Sequence, residues 1–305
     1  MPSSAIRFSV VVPLYNKAKF IVATILSAAN QEPPPSEIIV IDDGSTDDGP
    51  EHVIALANPL VRLFKQRNAG VSAARNRGIS EACGDWVCFL DADDLYLPGF
   101  LHALSAIVEK CPDARVIATG YQRRSLDATT SLIQHTSYPQ GGYIHDFFRT
   151  WSDRPTFSAS SIAVFRPTLL TMKPCFPVGE RLGEDQDLWF RLAESHPIAF
   201  DPRPLVIYRV DVAGSATHNQ DVSTPLPCYE RLAQRLETGQ VPANLRAGAR
   251  RLLASHWLNL ARAHLDSGDL SGAWKLFQSR FTKGHTIYRL RIGLRLAIAH
   301  VGFKF

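Results

Sequence analysis

Residues 86–94 read WVCFLDADD, an apolar run that is followed directly by three aspartates. The run has the composition of a buried strand, and its acids would lie at the carboxyl edge of a sheet, where open α/β folds bind ligands. Carboxylates this close together repel one another unless a cation or several hydrogen-bond donors lie between them. Hard carboxylate oxygens favour Mg²⁺ or Mn²⁺, which often bridges a protein to substrate phosphates. The stretch therefore predicts a metal site for a phosphorylated substrate, although it also fits a capped turn after a strand.

The chain before this strand alternates between strand and helix patterns. Its strand segments are continuous apolar runs, and a segment with a helix signal follows each of them; after the first strand, apolar residues recur at helical spacing. Asn16 stands where it can cap the first helix. Strands of this kind in a strand–helix repeat form a mainly parallel sheet that is covered on both faces. We therefore expect an α/β fold whose first strands are residues 9–14, 37–42, 61–64 and 86–90.

The second half of the chain has a different character. Residues 95–210 mix strand and helix patterns less regularly, whereas the pattern from Tyr229 onward is almost entirely helical. Two helical runs separated by Gly268 and Asp269 predict an αα-hairpin. We expect a sheet domain at residues 1–225 and a C-terminal helical extension at residues 226–305.

Composition limits the class of protein. Of the 305 residues, 45% are hydrophobic and 20% are charged, which is typical of a folded soluble domain. A net charge of +4 is too small to indicate nucleic acid as a partner, and we expect none. The five cysteines are scattered without a C-x-x-C pair, which favours reduced thiols over zinc ligands or disulfides. With neither a secretory leader pattern nor ~20 consecutive apolar residues, the sequence predicts a cytoplasmic protein.

Polar residues also follow the first two strands. Pro13 ends sheet pairing at the first of them, where Tyr15 can stack on a base and Lys17 can approach a phosphate. The second strand ends in Asp42 and Asp43, and an unpaired carboxylate there can accept a hydrogen bond from a pyrimidine N–H or from ribose hydroxyls. Each segment taken alone also fits an ordinary corner between a strand and a helix.

A further segment, residues 68–78, reads NAGVSAARNRG. It places small residues and two arginines on the helix that leads into the acidic strand. Arg75 stands where it can reach a phosphate, or it forms a surface ion pair.

Taken in order, these segments resemble the successive motifs of family 2 glycosyltransferases. The matching segments are VPLYNK at 12–17, IDDGSTD at 41–47, N-x-G and ARN within 68–76, LDADD at 90–94 and GEDQDLW at 183–189. Their order and spacing match across residues 8–215, and five elements in sequence are far more specific than any one of them. The resemblance implies a GT-A nucleotide-sugar-binding fold and an inverting transfer from a nucleotide-diphosphate sugar, with a UDP-sugar as the first expectation.

The resemblance also implies how the donor would bind. Pro13, Tyr15 and Asp43 would line the pocket for the base and ribose, and Asp42 would support that pocket. The other positions carried over to donor binding are Lys17, Asn68, Arg75, Asp91 and Ala92.

The same resemblance implies the catalytic and metal-binding groups. Asp185, beside Glu184, would be the general base that takes the proton of an acceptor hydroxyl as the new bond forms. Asp93 would be the principal ligand of Mn²⁺ or Mg²⁺, and Asp91 would hold the metal or the ribose. His218 is the candidate for a further ligand, because family members supply a histidine after the last core strand, or else it is a loop histidine in solvent. Residues 208–211 read YRVD where many relatives have Tyr-Arg-x-His, which leaves the third ligand open.

The C-terminal segment is basic, with no acidic residue after Asp269. A helix there could lie on an anionic membrane and bring the enzyme to a lipid-linked acceptor, or it could pack on the domain or on a partner. Ile292 and Leu296 favour packing, because they interrupt the polar face. The apolar stripe consists of Ile287, Leu290, Leu294, Ile298 and Val301.

We therefore expect a glycosyltransferase of a bacterial cell-surface polysaccharide pathway, cytoplasmic or peripheral at the inner face of the plasma membrane. Its partners would be a nucleotide-sugar donor and a glycan or lipid-linked acceptor. Transfer to a polyprenyl phosphate is a related alternative. It would favour additional basic residues near Asp185, where the sequence has only Arg181 and Arg191. The alternative that is not an enzyme is a non-catalytic nucleotide-sugar-binding scaffold. The presence of both Asp93 and Asp185 argues against it.

Overall fold

The structure is a computed structural model, and it describes residues 6–125, 130–132, 140–210, 212 and 223–300. Its strands are β1 (Phe8–Leu14), β2 (Glu37–Asp42), β3 (Val61–Lys65), β4 (Trp86–Phe89), β5 (Leu95–Tyr96), β6 (Val116–Arg124), β7 (Thr130–Leu132), β8 (Gly142–Ile144), β9 (Ile162–Phe165) and β10 (Ile198–Arg209). Its helices are α1 (Ala18–Ala29), α2 (Gly49–Ala55), α3 (Val71–Glu81), α4 (Phe100–Lys110), α5 (Phe147–Asp153), α6 (Arg166–Thr171), α7 (Glu184–Ser195), α8 (Pro227–Glu237), α9 (Arg246–Asp266), α10 (Leu270–Phe277) and α11 (Thr286–His300). Short 3-10 helices lie at Ala159–Ser161, Ala243–Leu245 and Arg280–Gly284.

The strands form one sheet with the order β3-β2-β1-β4-β9-β6-β10-β5, to which β7 and β8 add at β6 and β10. The strands β3, β2, β1 and β4 pair in parallel, as the pattern of the first half predicts. Antiparallel pairing enters with β9, which runs against both β4 and β6. The predicted α/β fold with a C-terminal helical region is confirmed, and the antiparallel strands come from the part of the chain with the least regular pattern.

The carboxyl ends of the parallel strands share one edge of the sheet. Leu14 pairs with Asp42 and Val11 with Phe89, so β1, β2 and β4 end close together. Residues 38–41 and 87–90 are completely buried, which is the reason that both segments are continuous apolar runs. The acidic residues that follow β2 and β4 therefore emerge at neighbouring points of this edge.

The start of α1 differs from the prediction, because Asn16 does not cap this helix. Lys17 occupies the cap position, but its side chain makes no capping hydrogen bond, and the N–H of Ala18 donates to Oδ2 of Asp47 at 2.8 Å. Asn16 instead accepts the N–H of Thr46 on its side-chain oxygen, also at 2.8 Å. The cap of α1 thus comes from the turn after β2, which the sheet holds beside the turn after β1.

Gly78 marks the closest approach of α3 to β1. A Cβ at this position would lie 2.2 Å from Cγ1 of Val11, which is completely buried. We expect Gly78→Ala to lower the free energy of unfolding by about 1–3 kcal/mol, because the helix must move away from the strand. In an ordinary helix interior, replacing glycine by alanine stabilises the helix by roughly 1 kcal/mol. The change in stability expected here has the opposite sign. Chemical denaturation measures the change, with Ser80→Ala at an exposed position of α3 as the control; an unchanged or raised stability of the Gly78 variant would contradict the prediction.

The helices α5 and α8 to α11, with the part Trp189–Glu194 of α7, form a compact unit of their own. Within it α9 and α10 form the predicted αα-hairpin, and they pack against each other and against α11. Because α5 and α7 precede residue 226, this unit is not one continuous stretch of chain, and the division predicted between residues 225 and 226 stays a prediction. A small apolar core lies within the unit and consists of Leu258, Ala261, Ala273, Ile292 and Leu296.

Candidate active site

Asp43 anchors the loop that enters α3. The side chain is 3% exposed, and its Oδ1 accepts hydrogen bonds from Nε2 of Gln66 at 2.8 Å and from the N–H of Ala69 at 2.9 Å. Its Oδ2 accepts the N–H of Gly70 at 2.8 Å, and Gly70 has a φ of 88° that glycine adopts without strain. A carboxylate can accept about four hydrogen bonds, so this residue, predicted to face the base and ribose, retains capacity for another donor.

The other predicted donor-binding residues of these turns either hold the backbone or face solvent. Asn68 donates from Nδ2 to the carbonyl of Asp43 at 2.9 Å, and Asp42 accepts a backbone N–H of its own turn at 2.9 Å. Tyr15 is 49% exposed just after β1, so its ring is accessible for stacking. The prediction that Pro13 ends sheet pairing is wrong, because Pro13 pairs with Ile41 and Leu14 after it still pairs with Asp42. The structure thus gathers these predicted residues at the ends of β1 and β2, and their roles toward a donor stay predictions.

Lys17 and Asp93 form a largely buried ion pair. The distance between Nζ and Oδ2 is 2.6 Å, and the two side chains are 12% and 14% exposed. The ammonium group therefore neutralises the carboxylate that the family resemblance assigns to the metal. The pair joins the start of α1 to the acidic turn after β4.

Arg75 connects the acidic turn to the acidic start of α7. Its guanidinium donates to Oδ1 of Asp91 at 2.7 Å and to Oε1 of Glu184 at 2.9 Å, and the residue is 3% exposed. The ring of Phe176 lies 5.3 Å from the guanidinium carbon. Burial acts to lower the pKa of Arg75, but the neighbouring carboxylates outweigh it and raise that pKa above its ordinary value. A role for Arg75 at a phosphate stays a prediction, and in this structure the guanidinium binds two protein carboxylates.

Glu184 and Asp185 share a low-dielectric position at the start of α7. Burial, followed by the charge of Asp185, raises the pKa of Glu184 to about 7. Burial also raises the pKa of Asp185, while the charge of Arg75 opposes the change. The pair therefore resists carrying two negative charges, and a carboxylate with a raised pKa is a better proton acceptor near neutral pH.

The last aspartate of the acidic stretch is a structural group. Asp94 is 1% exposed and accepts hydrogen bonds from Oγ of Ser160 at 2.5 Å and from the N–H of Arg209 at 2.9 Å. Burial first, and then the charges of Asp91 and Asp93, raise its pKa well above the ordinary range. The sequence analysis did not identify Ser160, which carries no recognisable signal, or Arg209, whose place in the YRVD segment could have indicated it.

Ala92 is part of the same turn. It is 4% exposed, and its carbonyl and that of Asp94 both accept the hydroxyl of Thr24 at 2.9 Å. The guanidinium of Arg209 donates to the carbonyl of Asp93. These bonds fix the backbone between the two aspartates assigned to metal and ribose, and Thr24 is a further supporting residue that the sequence analysis did not identify.

The acidic turn fits a divalent cation by its donor chemistry. Asp91 and Asp93 each use one carboxylate oxygen in an ion pair, and hard carboxylate oxygens are the ligands that Mg²⁺ and Mn²⁺ prefer. In the part of the chain that the structure describes, no group of three or more His, Cys, Asp or Glu side chains is arranged to hold a metal ion. His218 lies outside the described residues. Two protein carboxylates are the number that Mg²⁺ commonly takes beside substrate phosphates and water, and the metal assignment stays a prediction.

The chain belongs to Glycosyl transferase family 2, whose sequence model matches residues 9–170. An uncharacterised glycosyltransferase of Rickettsia felis is 30% identical over 193 residues, which are 63% of this chain and 31% of that protein. The succinoglycan biosynthesis protein ExoO of Rhizobium meliloti is 44% identical over 95 residues, which are 31% of this chain and 27% of that protein. The chain thus spans about a third or less of the length of these two relatives.

Solved structures confirm the GT-A fold. The crystal structure of S. aureus TarS 1-349 in complex with UDP-GlcNAc superposes with a TM-score of 0.70 at 16% sequence identity. The match covers 98% of this chain and 93% of that one, so it extends beyond the sheet to the C-terminal helices.

Proposed function

We propose that this protein is an inverting glycosyltransferase, which moves a sugar from a nucleotide-diphosphate donor to a hydroxyl of a glycan or lipid-linked acceptor. The observation that carries the proposal is the buried Arg75, which joins the acidic turn at Asp91 to the acidic start of α7 at Glu184. The contact supports a single site, because it ties the turn that carries Asp91 and Asp93 to the residue beside Asp185. Membership of the family supports sugar transfer, and the TarS complex with UDP-GlcNAc supports a UDP-sugar as the donor.

The proposed reaction is a single displacement at the anomeric carbon. The acceptor oxygen bonds to this carbon while the carbon–oxygen bond to the diphosphate breaks, and the electron pair of that bond leaves with the nucleoside diphosphate. Asp185 takes the proton of the acceptor hydroxyl, and Glu184 and Arg75 set its charge environment. A divalent cation bound at Asp91 and Asp93 would supply neutralisation of the charge on the departing diphosphate. Attack opposite to the leaving group inverts the anomeric centre without an enzyme nucleophile.

Binding of nucleotides tests this function directly. We expect one nucleoside phosphate among UDP, dTDP, GDP and CMP, with UDP first, to raise the melting temperature in the presence of Mn²⁺. A ligand at a hundred times its dissociation constant stabilises the folded state by about 2.7 kcal/mol. A well-folded sample whose melting temperature changes with none of the four, with or without Mn²⁺, would contradict the proposal.

The raised pKa values predict how activity depends on pH. We expect kcat/KM to rise with pH through an apparent pKa near 7, because the general base must lose its proton and the Glu184 carboxyl has a pKa of about 7. The apparent value belongs to the coupled pair of Glu184 and Asp185. In Glu184→Gln the rise should move to lower pH, since one negative charge fewer lowers the pKa of Asp185.

Initial rates of nucleoside diphosphate release between about pH 5 and 9 check this expectation. The control is Asp48→Asn, an exposed aspartate before α2 whose side chain makes no cap hydrogen bond, and it should keep the wild-type profile. A rise that stays at the same pH in Glu184→Gln would contradict the proposed coupling.

We propose that the product belongs to a bacterial cell-surface polysaccharide, as the name of the succinoglycan relative suggests. We place the reaction in the cytoplasm, at the inner face of the plasma membrane where lipid-linked acceptors are held. Among the helices of the described residues, none has the length and hydropathy that crossing a bilayer requires.

A further inference from the structure

The helix α11 exposes an apolar stripe. Ile287, Leu290 and Leu294 are 65%, 69% and 64% exposed. Their spacing of three and four residues places them on one face of the helix. Single exposed apolar side chains are common on protein surfaces, but three on one face form a continuous patch.

The opposite face of α11 holds the helix in place. Ile292 and Leu296 are 1% and 0% exposed, and they pack in the small core of α9, α10 and α11. At about 100° per residue, they lie roughly half a turn around the helix from Ile287. The packing expected of Ile292 and Leu296 therefore coexists with an exposed stripe, because the two sets lie on different faces. Val301, the last residue of the predicted stripe, lies outside the described residues.

The surroundings of the stripe are basic. Arg291 lies between Leu290 and Leu294 in sequence, and Lys283 precedes the helix; both are exposed. Neither has an ion-pair partner among the residues that the structure describes, and the sequence contains no acidic residue after Asp269. An apolar patch with unpaired cations beside it is complementary to a surface that has an anionic outer layer over an apolar interior.

We propose that this face of α11 docks on an anionic phospholipid bilayer. Ile287, Leu290 and Leu294 enter the boundary of the acyl chains, and Arg291 and Lys283 contact the lipid phosphates. A second copy of the chain fits less well, because it would bring the same cations together. Three side chains are also too few for the roughly 800 Å² per partner of a stable interface. The docking deepens the proposed function by placing the enzyme at lipid-linked acceptors, but its test does not require sugar transfer.

Sedimentation of the full chain with vesicles tests the docking. We expect binding to vesicles that contain phosphatidylglycerol, weaker binding to pure phosphatidylcholine, and a loss of about tenfold or more in the double variant Leu290→Ser, Leu294→Ser. Arg291→Gln should weaken binding only to the anionic vesicles and should reduce its dependence on salt. The matched control is Ile54→Ser, which removes a side chain that is 62% exposed on α2, and it should bind as the wild type does.

Three outcomes would overturn the docking. The first is that the wild type does not bind phosphatidylglycerol vesicles, and the second is that the wild type and the double leucine variant bind equally. The third is that the wild type is a dimer in solution and the double leucine variant is a monomer. The melting temperature of each variant shows that it is folded. A chain that binds a nucleotide with Mn²⁺ but no vesicles contradicts the docking alone, whereas one that binds vesicles but no nucleotide contradicts the proposed transferase.

Discussion

Asp185→Asn is expected to lower kcat by about a thousandfold, within the range of about 10²–10⁴ that a general base contributes. The asparagine keeps the size of the side chain and its position at the start of α7, but it cannot accept the proton of the acceptor hydroxyl. Donor binding should persist, because the donor is assigned to the acidic turn and to the turns after β1 and β2.

Two measurements separate this effect from misfolding. Initial rates of transfer give kcat, and the shift in melting temperature with nucleotide and Mn²⁺ reports on donor binding. Asp48→Asn is again the control, since it makes the same chemical change at an exposed position. A kcat within a few-fold of wild type, in a variant that still binds the donor, would exclude Asp185 as the base.

Asp93→Asn is expected to remove the part of nucleotide binding that depends on Mn²⁺ and to lower kcat by about 10²–10³-fold. The carboxylate is assigned as the principal ligand between metal and diphosphate, and an amide oxygen carries no charge to hold the cation. The change also breaks the 2.6 Å ion pair with Lys17. An effect of the lost ion pair alone must therefore be distinguished from an effect of the lost ligand.

Lys17→Met makes that distinction, because both variants lack the ion pair and only Asp93→Asn lacks the carboxylate. We expect Lys17→Met to retain stabilisation by nucleotide that depends on Mn²⁺, even where loss of the ammonium weakens nucleotide binding as a whole. Binding of Mn²⁺ can be followed by the same melting series or by electron paramagnetic resonance of the free ion. Equal loss of the Mn²⁺ effect in the two variants would show that Asp93 acts through Lys17 and not as a ligand.

Much of the fold was predictable because it follows from local pattern. The buried strands β1, β2 and β4 are continuous apolar runs, and the hairpin of α9 and α10 turns at Gly268, which has a φ of 86°. The direction of β9 was not predictable. A short apolar run can form a strand that runs parallel or antiparallel to its neighbours, and its composition does not distinguish the two. The cap of α1 was predicted wrongly for a related reason. Asn16 lies next to the start of α1 in the sequence, whereas Asp47 lies next to it in the folded chain.

The family, the α/β class and the order of the acidic and aromatic residues at the strand ends follow from the sequence alone, because they depend on composition and on spacing along the chain. Which charged side chains meet depends instead on how the chain folds. Lys17 pairs with Asp93 across 76 positions and Arg75 with Glu184 across 109, and the packing of Ile292 and Leu296 decides which face of α11 stays exposed. A buried charge needs an opposite charge or hydrogen-bond partners, and the sheet, not the neighbouring sequence, sets which partners lie within reach.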